Sequence, residues 1–236
     1  MFNILNGVRV LDLTTVVLGP FATQMLGDFG ASVIKIENLE GDMMRAVRPG
    51  SSDEMGAGFV NCNRNKDCIA LNLKTSEGKA IFYRLVQSAD AVVHNMRNKT
   101  AIKLGIGYDD LVKIKSDLVY CGAQGFGEKG PNSDVPAYDD IIQAASGLSY
   151  LNSDEKGHPR YLPTIVADKV SGLQLAIAVL GGLINKLRTG KGCFIESPMF
   201  EGLVAFLMAE QMAGYSYVPI SGGTGYDRLT APYRRP

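Results

Sequence analysis

Strand-like and helix-like segments alternate through the first half of the chain, and no other feature narrows its fold as far. GVRVLDL reads as a buried strand ending near Leu13. PFATQMLGDFG follows as a helix, with Pro20 suited to its first turn and Gly30 to its stop. SVIKIE, CIALNL, AVVHN and LVYCGAQGF repeat the strand signal. Between them lie the helix SEGKAIFYRLVQSA, started by Thr75, and a short helix DLVKIK. Strands joined through helices cannot pair as hairpins. Right-handed crossovers make them parallel, with helices on both faces. The pattern predicts an α/β fold with a Rossmann-like, mostly parallel sheet flanked by helices. Ligands of such sheets sit outside the carboxyl ends of the strands, which directs attention to Thr14–Pro20, Glu37–Arg48, Asn95–Leu104 and Gly125–Tyr138.

From Asp139 the pattern turns more helical, with DDIIQAASGLSYL and then Val170 to Leu187. In the latter, Val170, Leu173, Ile177, Leu180, Ile184 and Leu187 recur at helical spacing. FIESPM is a sixth strand, and Phe200 to Ala213 a further helix. No GxGxxG follows the first strand, which disfavours a nicotinamide dinucleotide, and GFGEKGP lacks the GK[ST] of a phosphate loop. It reads as a tight turn.

Composition excludes several partners. Lys plus Arg and Asp plus Glu are both 24, without a run of one sign, so there is no electrostatic footprint for nucleic acid or a charged membrane. The stretch Leu173–Leu187 is too short for a good membrane span. The start MFNILNGVRVLDL carries no signal-peptide pattern. Cys62, Cys68, Cys121 and Cys193 form no CxxC pair and have no histidines at zinc spacing. They fit buried thiols of a protein in a reducing cytoplasm, and no metal site is expected.

Asp168 stands at the foot of the long apolar helix in PTIVADKVSGLQLAIAVLGGL. Local sequence leaves two readings open: a cap that meets the helix's free N–H groups and dipole, or a catalytic carboxylate in a crevice.

Several segments together resemble the class III CoA-transferases, a family that includes carnitine, formyl and succinyl CoA-transferases and the α-methylacyl-CoA racemases. The matching pieces are GVRVLDLTTVVLGPFATQMLGDFGASVIKIE, GDMMR, NCNRNKDCIALNLKTSEGKAIFYRLVQSADAVVHNMR, LGIGYDDL, LVYCGAQGFGEKGP, AYDDIIQAASGL and ADKVSGLQLAIAVLGGL with KLRTGKG. They occur in the family's order across nearly the whole chain. The resemblance implies that Asp168 is a covalent nucleophile, kept ionised at the helix N-terminus, that attacks an acyl-CoA thioester. It places Tyr138 near the reacting groups. Racemases of the family carry a catalytic histidine at that position, so a transferase is favoured.

Coenzyme A is then a substrate, with no tightly bound cofactor. By the same resemblance it runs along Val17, Leu18, Asn38, Leu71, Asn72, Leu73, Lys74, Asn95, Met96, Arg97, Lys103, Leu104 and Ala137, with Lys74 and Lys103 near phosphate. Asn38 replaces an arginine of some transferases, which makes Arg45 or Arg48 the candidate for that charge. Val17 replaces a glutamine of the formyl type, which argues against oxalate or formate. Gly222, Gly223 and Gly225 resemble a glycine-rich loop that closes over the aspartate. The family's architecture implies a large CoA-binding domain over residues 1–214 and a linker with that loop over 215–236. It also implies a chain truncated before most of a small domain, and an interlocked homodimer.

Overall fold

The computed structural model describes residues 3–226. Six strands form one sheet: β1 (Arg9–Leu13), β2 (Ser32–Glu37), β3 (Lys66–Ala70), β4 (Ala91–His94), β5 (Val119–Gln124) and β6 (Cys193–Pro198). Their spatial order is β3-β2-β1-β4-β5-β6 and every pairing is parallel. The expected α/β sheet is thus present. The chain moves outward from β1 through β2 and β3, then returns to β4 on the other side of β1. The crevice where the winding reverses opens beyond the paired ends Leu13 and His94.

Both faces of the sheet are covered, which is why its central strands read as near-continuous apolar runs. Val10, Ala91, Val93, Val119 and Cys121 face α1 (Leu18–Asp28) and the long helix near the chain's end. Leu11, Leu13, Val92, Leu118 and Tyr120 face the opposite core, closed by α3 (Ser76–Gln87) with Phe82 and Val86. Thr75 caps α3, its hydroxyl accepting from the Gly78 N–H at 3.1 Å. Two helices went unread in the sequence: α2 (Ala57–Asn63) and α4 (Asn98–Leu104). Each spans about two turns, too short for an apolar period to show. The short helix placed at DLVKIK lies earlier, as α5 (Tyr108–Leu111), and the third strand begins and ends before CIALNL does. The segment from Asp139 breaks at Gly147, φ +83°, into α6 (Asp139–Ala145) and α7 (Leu148–Leu151).

Helix α8 (Val166–Thr189) corrects two expectations. With 24 residues and a mean hydropathy of 1.5, it is long and apolar enough to cross a membrane by length and composition. In the structure it packs one face on α1, β5, β6 and α9 (Met199–Gln211). That face is not the large apolar stripe. Leu173, Ile177, Ile184 and Leu187 are exposed, the last at 86%, whereas Ala167, Ser171, Gly172, Leu175, Ala176, Val179 and Gly182 are buried. The stripe marks the helix but not its core side, because close approach to α1 and the sheet favours small residues there, alongside the buried Leu175 and Val179. A Cβ on Gly172 would lie 2.8 Å from the Leu18 carbonyl oxygen and 3.0 Å from the Phe21 ring. Gly172→Ala is therefore expected to destabilise the fold by about 1–3 kcal/mol through overpacking, against the ~1 kcal/mol that alanine gains in a helix. Urea unfolding checks this, and a more stable variant would refute the close approach.

The four cysteines are free, and only Cys121 is buried; Cys68 is exposed on the edge strand β3. Residues 227–236 of the proposed linker lie outside the described residues.

Candidate active site

At the switch point, the segment from Thr14 to Val16 takes the place a glycine-rich loop holds in dinucleotide folds. Side chains from neighbouring strands and loops hold its backbone. Asp12 accepts from the Thr14 N–H at 2.9 Å, and the Lys35 ammonium donates to the Thr14 carbonyl at 2.7 Å. The Asn95 amide accepts from the Thr15 N–H at 3.0 Å and donates to the Thr15 carbonyl at 2.8 Å. Asp42 accepts from the Val16 N–H at 3.2 Å. Val16 sits at φ +70°, a left-handed conformation that a β-branched residue rarely adopts.

Beyond this segment lies a cleft of about 310 Å³ lined by Asp168, Tyr138, Arg97, Val16, Leu18, Ala137 and Gln124, among others. Asp168 is the third residue of α8, and its backbone N–H donates to Asp139 at 3.0 Å. The other Asp139 oxygen accepts from the Gln143 amide at 2.5 Å. Gln143 also donates to the Thr164 carbonyl at 3.2 Å and accepts from the Leu162 N–H at 2.9 Å. Asp139 thus supplies the capping carboxylate for α8, and among the described residues no hydrogen bond engages the Asp168 side chain. Of the two readings of Asp168, the cap is already occupied by another residue. Burial first, and the Asp139 charge second, push the Asp168 carboxyl up to about 7. Against the expectation that the helix N-terminus keeps it ionised, burial and the Asp139 charge both favour the neutral acid.

A second cleft, of about 370 Å³, opens on the β2 side of Thr15, which lines both. Its floor is apolar, from Leu13, Ile36, Leu71, Leu73, Met96 and Leu104, and Asn38, Asn72 and Lys74 stand around it. The Asn72 side chain accepts from the Lys74 N–H at 3.1 Å, which shapes the turn that presents the lysine.

The fold therefore sorts the sequence-identified residues. Asp168, Tyr138, Leu18, Asn95, Arg97 and Ala137 line the first cleft; Asn38, Leu71, Asn72, Leu73, Lys74, Met96 and Leu104 line the second. Lys103 is exposed on α4 and lines neither. Val17 is buried, and its neighbour Val16 forms the wall, so the argument against oxalate or formate has no side chain in the cleft to rest on. Arg45 donates through Nε and Nη2 to the two Glu37 oxygens, at 2.7 and 2.6 Å, and stacks 3.8 Å from the Phe59 ring centroid; Arg48 pairs with Asp53. Neither is a free substitute for the cation missing at Asn38. Gly222, Gly223 and Gly225 fold back on the end of α9. There the Gly214 N–H donates to Gly223 and the Gly225 N–H to Gln211, and the loop lines neither cleft. Sequence reasoning missed Thr15, Val16, Asp42, Asp139 and Gln143. Asp139 had one signal, the paired acids of PAYDD before an apolar run.

The sequence pattern of CoA-transferase family III matches residues 5–234, and the chain belongs to that family. It is 40% identical over 204 residues to the mouse (Mus musculus) succinyl-CoA:glutarate CoA-transferase, covering 86% of this chain and 47% of that protein. An acetyl-CoA:oxalate CoA-transferase of Acetobacter aceti is also 40% identical, with 86% and 52% covered. Among solved structures, a CAIB/BAIF family protein from Brucella suis superposes with a TM-score of 0.88 at 33% identity, over 99% of this chain and 63% of that one. The chain spans about half the length of the curated relatives it matches.

Proposed function

We propose that this chain carries the CoA-binding and nucleophilic part of a CoA-transferase that exchanges CoA between an acyl-CoA and a carboxylic acid. The single observation that carries this reading is the unengaged Asp168 carboxylate, raised to about 7, at the end of a cleft joined through Thr15 to a lysine-rimmed apolar one. An Asp168 oxygen attacks the thioester carbonyl carbon, the C–S bond breaks, and a mixed anhydride and CoA thiolate result. The thiolate attacks the Asp168 carbonyl and expels the donor acid, leaving an enzyme–CoA thioester. The acceptor carboxylate then attacks that carbonyl, releasing thiolate, which takes the new acyl group and frees Asp168. The energy of the thioester is conserved at each exchange. A carboxylate of raised pKa is also the more basic nucleophile.

The racemase alternative requires a base at the α-carbon. Neither histidine of the chain lines the cleft: His94 is buried beside Tyr120, where desolvation holds it neutral to about 4, and His158 pairs with Asp154 in an exposed loop. In this reading residues 1–214 are the CoA-binding domain, 215–236 lead toward a smaller one, and the complete protein is a cytoplasmic homodimer. Mass spectrometry of the complete protein incubated with an acyl-CoA tests it. A CoA adduct on the Asp168 peptide is expected; rapid turnover with no trappable adduct would sink the covalent route.

Lys74→Ala should weaken CoA binding roughly tenfold or more while leaving a pantetheine thioester unaffected, since a charge-assisted phosphate contact contributes about 1.5–3 kcal/mol. Lys103→Ala, outside both clefts, should do less. Calorimetry with the two ligands decides, and equal losses for both would remove Lys74 from the phosphates.

A further inference from the structure

The segment Thr14–Val16 runs between the two clefts, Thr15 lining both and Val16 the first, and side chains hold every one of its backbone groups from the Thr14 N–H to the Val16 N–H. Two of those side chains form a fully buried pair, of which Asp42 borders the second cleft. Lys35, on β2, is fully buried, donates to the Thr14 carbonyl at 2.7 Å, and approaches the Asp42 carboxylate at 3.0 Å. Asp42 follows β2 and accepts from the N–H groups of Val16 at 3.2 Å and Met44 at 3.0 Å. The Lys35–Asp42 approach is an ion pair without hydrogen-bond alignment, since that Asp42 oxygen has no aligned donor. Lys35 touches neither cleft.

A buried lysine and a buried aspartate each cost desolvation, and a well-packed apolar pair would commonly stabilise a core as well or better. What such a pair secures here is local. Val16 holds φ +70°, a conformation that costs on the order of 1–3 kcal/mol and persists only where surroundings impose it. The strained residue contributes its side chain to the Asp168 cleft alone, and Met43, carried by the turn that Asp42 caps, joins it there.

We infer that Lys35 and Asp42 are positioning residues, which clamp Thr14 and Val16 so that the wall facing Asp168 keeps the shape needed for acyl transfer. The inference rests on the transferase reading. Asp42 borders the nucleotide cleft, but its carboxylate is fully buried and turned to Lys35 and Val16; of the clamped segment that cleft receives only Thr15, which Asn95 holds independently, so the pair acts on turnover more than on CoA affinity.

The test compares the complete protein with Lys35→Met, Asp42→Asn and the double variant. Each single change leaves a buried polar partner unmatched and should lower Tm. The double variant is uncharged at both positions and should recover most of that loss, to within about 3 °C of the parent. Its Thr14 carbonyl remains unheld, so kcat should stay about ten- to a hundredfold down. CoA affinity by calorimetry should stay within about threefold. A merely structural pair would make kcat track Tm, so a double variant that regains both overturns the inference, as does one whose loss lies wholly in CoA affinity. Absence of CoA transfer in the parent protein would instead refute the transferase reading, and with it this one.

Discussion

Asp168→Asn is expected to reduce CoA transfer by at least roughly 10³-fold while raising the stability of the protein at neutral pH. Both effects come from one cause. The carboxylate lies largely desolvated with Asp139 beside it and no hydrogen bond to compensate, which pushes it up to about 7. An amide keeps the shape but cannot form the anhydride. The sign of the stability effect follows from linkage. The folded state holds the Asp168 proton more tightly than the unfolded chain does, so the wild-type protein loses stability as pH rises from about 4 through about 7. The uncharged variant escapes that loss. The gap between the two should open above pH ~4, level off above ~7, and reach on the order of 2 kcal/mol. The same group should govern kcat/KM, which is expected to fall tenfold per pH unit below about 7, where the free enzyme's nucleophile is protonated. Parallel melting curves at pH 5 and 8 and a kcat/KM profile check all three. An Asp168→Asn protein that turns over normally, deamidation excluded by mass, would end the covalent mechanism, and one that melts earlier at pH 8 would show that Asp168 is not strained by its surroundings.

Much of this site was legible before any coordinates, and the illegible part has a physical cause. The rule that ligands sit beyond the carboxyl ends of parallel strands picks out four loops, among them Thr14–Pro20 and Asn95–Leu104, but only the strand order sets those two together beyond Leu13 and His94. Lys74 and Asp168 could be named because their motifs are contiguous. Asp139 and Asp42 could not be assigned their partners, because capping Asp168 or holding Val16 joins residues far apart in sequence through hydrogen bonds that leave no period. The buried face of α8 was hidden for a different reason. Its core side mixes Ala, Ser and Gly with Leu175 and Val179, while Leu173, Ile177, Ile184 and Leu187 are exposed, so apolar size and burial part company there. Val16 shows the same limit: nothing in TTVVLGP announces a left-handed valine, since only surrounding side chains impose it.

Asp12→Ala should be the most destabilising of the single substitutions considered, at about 3–5 kcal/mol, because it leaves a buried ammonium without its counterion. Asp12 is fully buried near the carboxyl end of β1, and all its hydrogen-bonding capacity is used. One oxygen accepts from the Thr14 N–H at 2.9 Å and hydroxyl at 2.5 Å; the other accepts from the Thr23 hydroxyl at 2.6 Å and from Lys66 at 2.9 Å. Lys66 reaches it from β3 and also donates to the Pro20 carbonyl and the Asn63 side chain, both near 2.9 Å, so one ammonium ties β1, α1, α2 and β3 together. Burial alone would raise the Asp12 pKa, but Lys66, Lys35 and the two threonines overcome it and hold the carboxyl at about 2. A depressed carboxyl contributes stability that is present above the unfolded value near 4 and is lost as pH falls toward 2, so this network should give the protein a steep acid limb in that window. Lys66→Met should cost a comparable amount by stranding the carboxylate. Asp12→Asn with Lys66→Met removes both charges together and should recover a large share of either single loss, because the penalty lies in the unpaired ion rather than in the missing pair. Urea unfolding of the parent, Asp12→Asn, Lys66→Met and the double variant at pH 7, with the parent and the double variant repeated at pH 3, measures the cycle. Additive losses would mean that Asp12 and Lys66 are not coupled, and an unchanged acid limb in the double variant would place the acid sensitivity elsewhere in the fold.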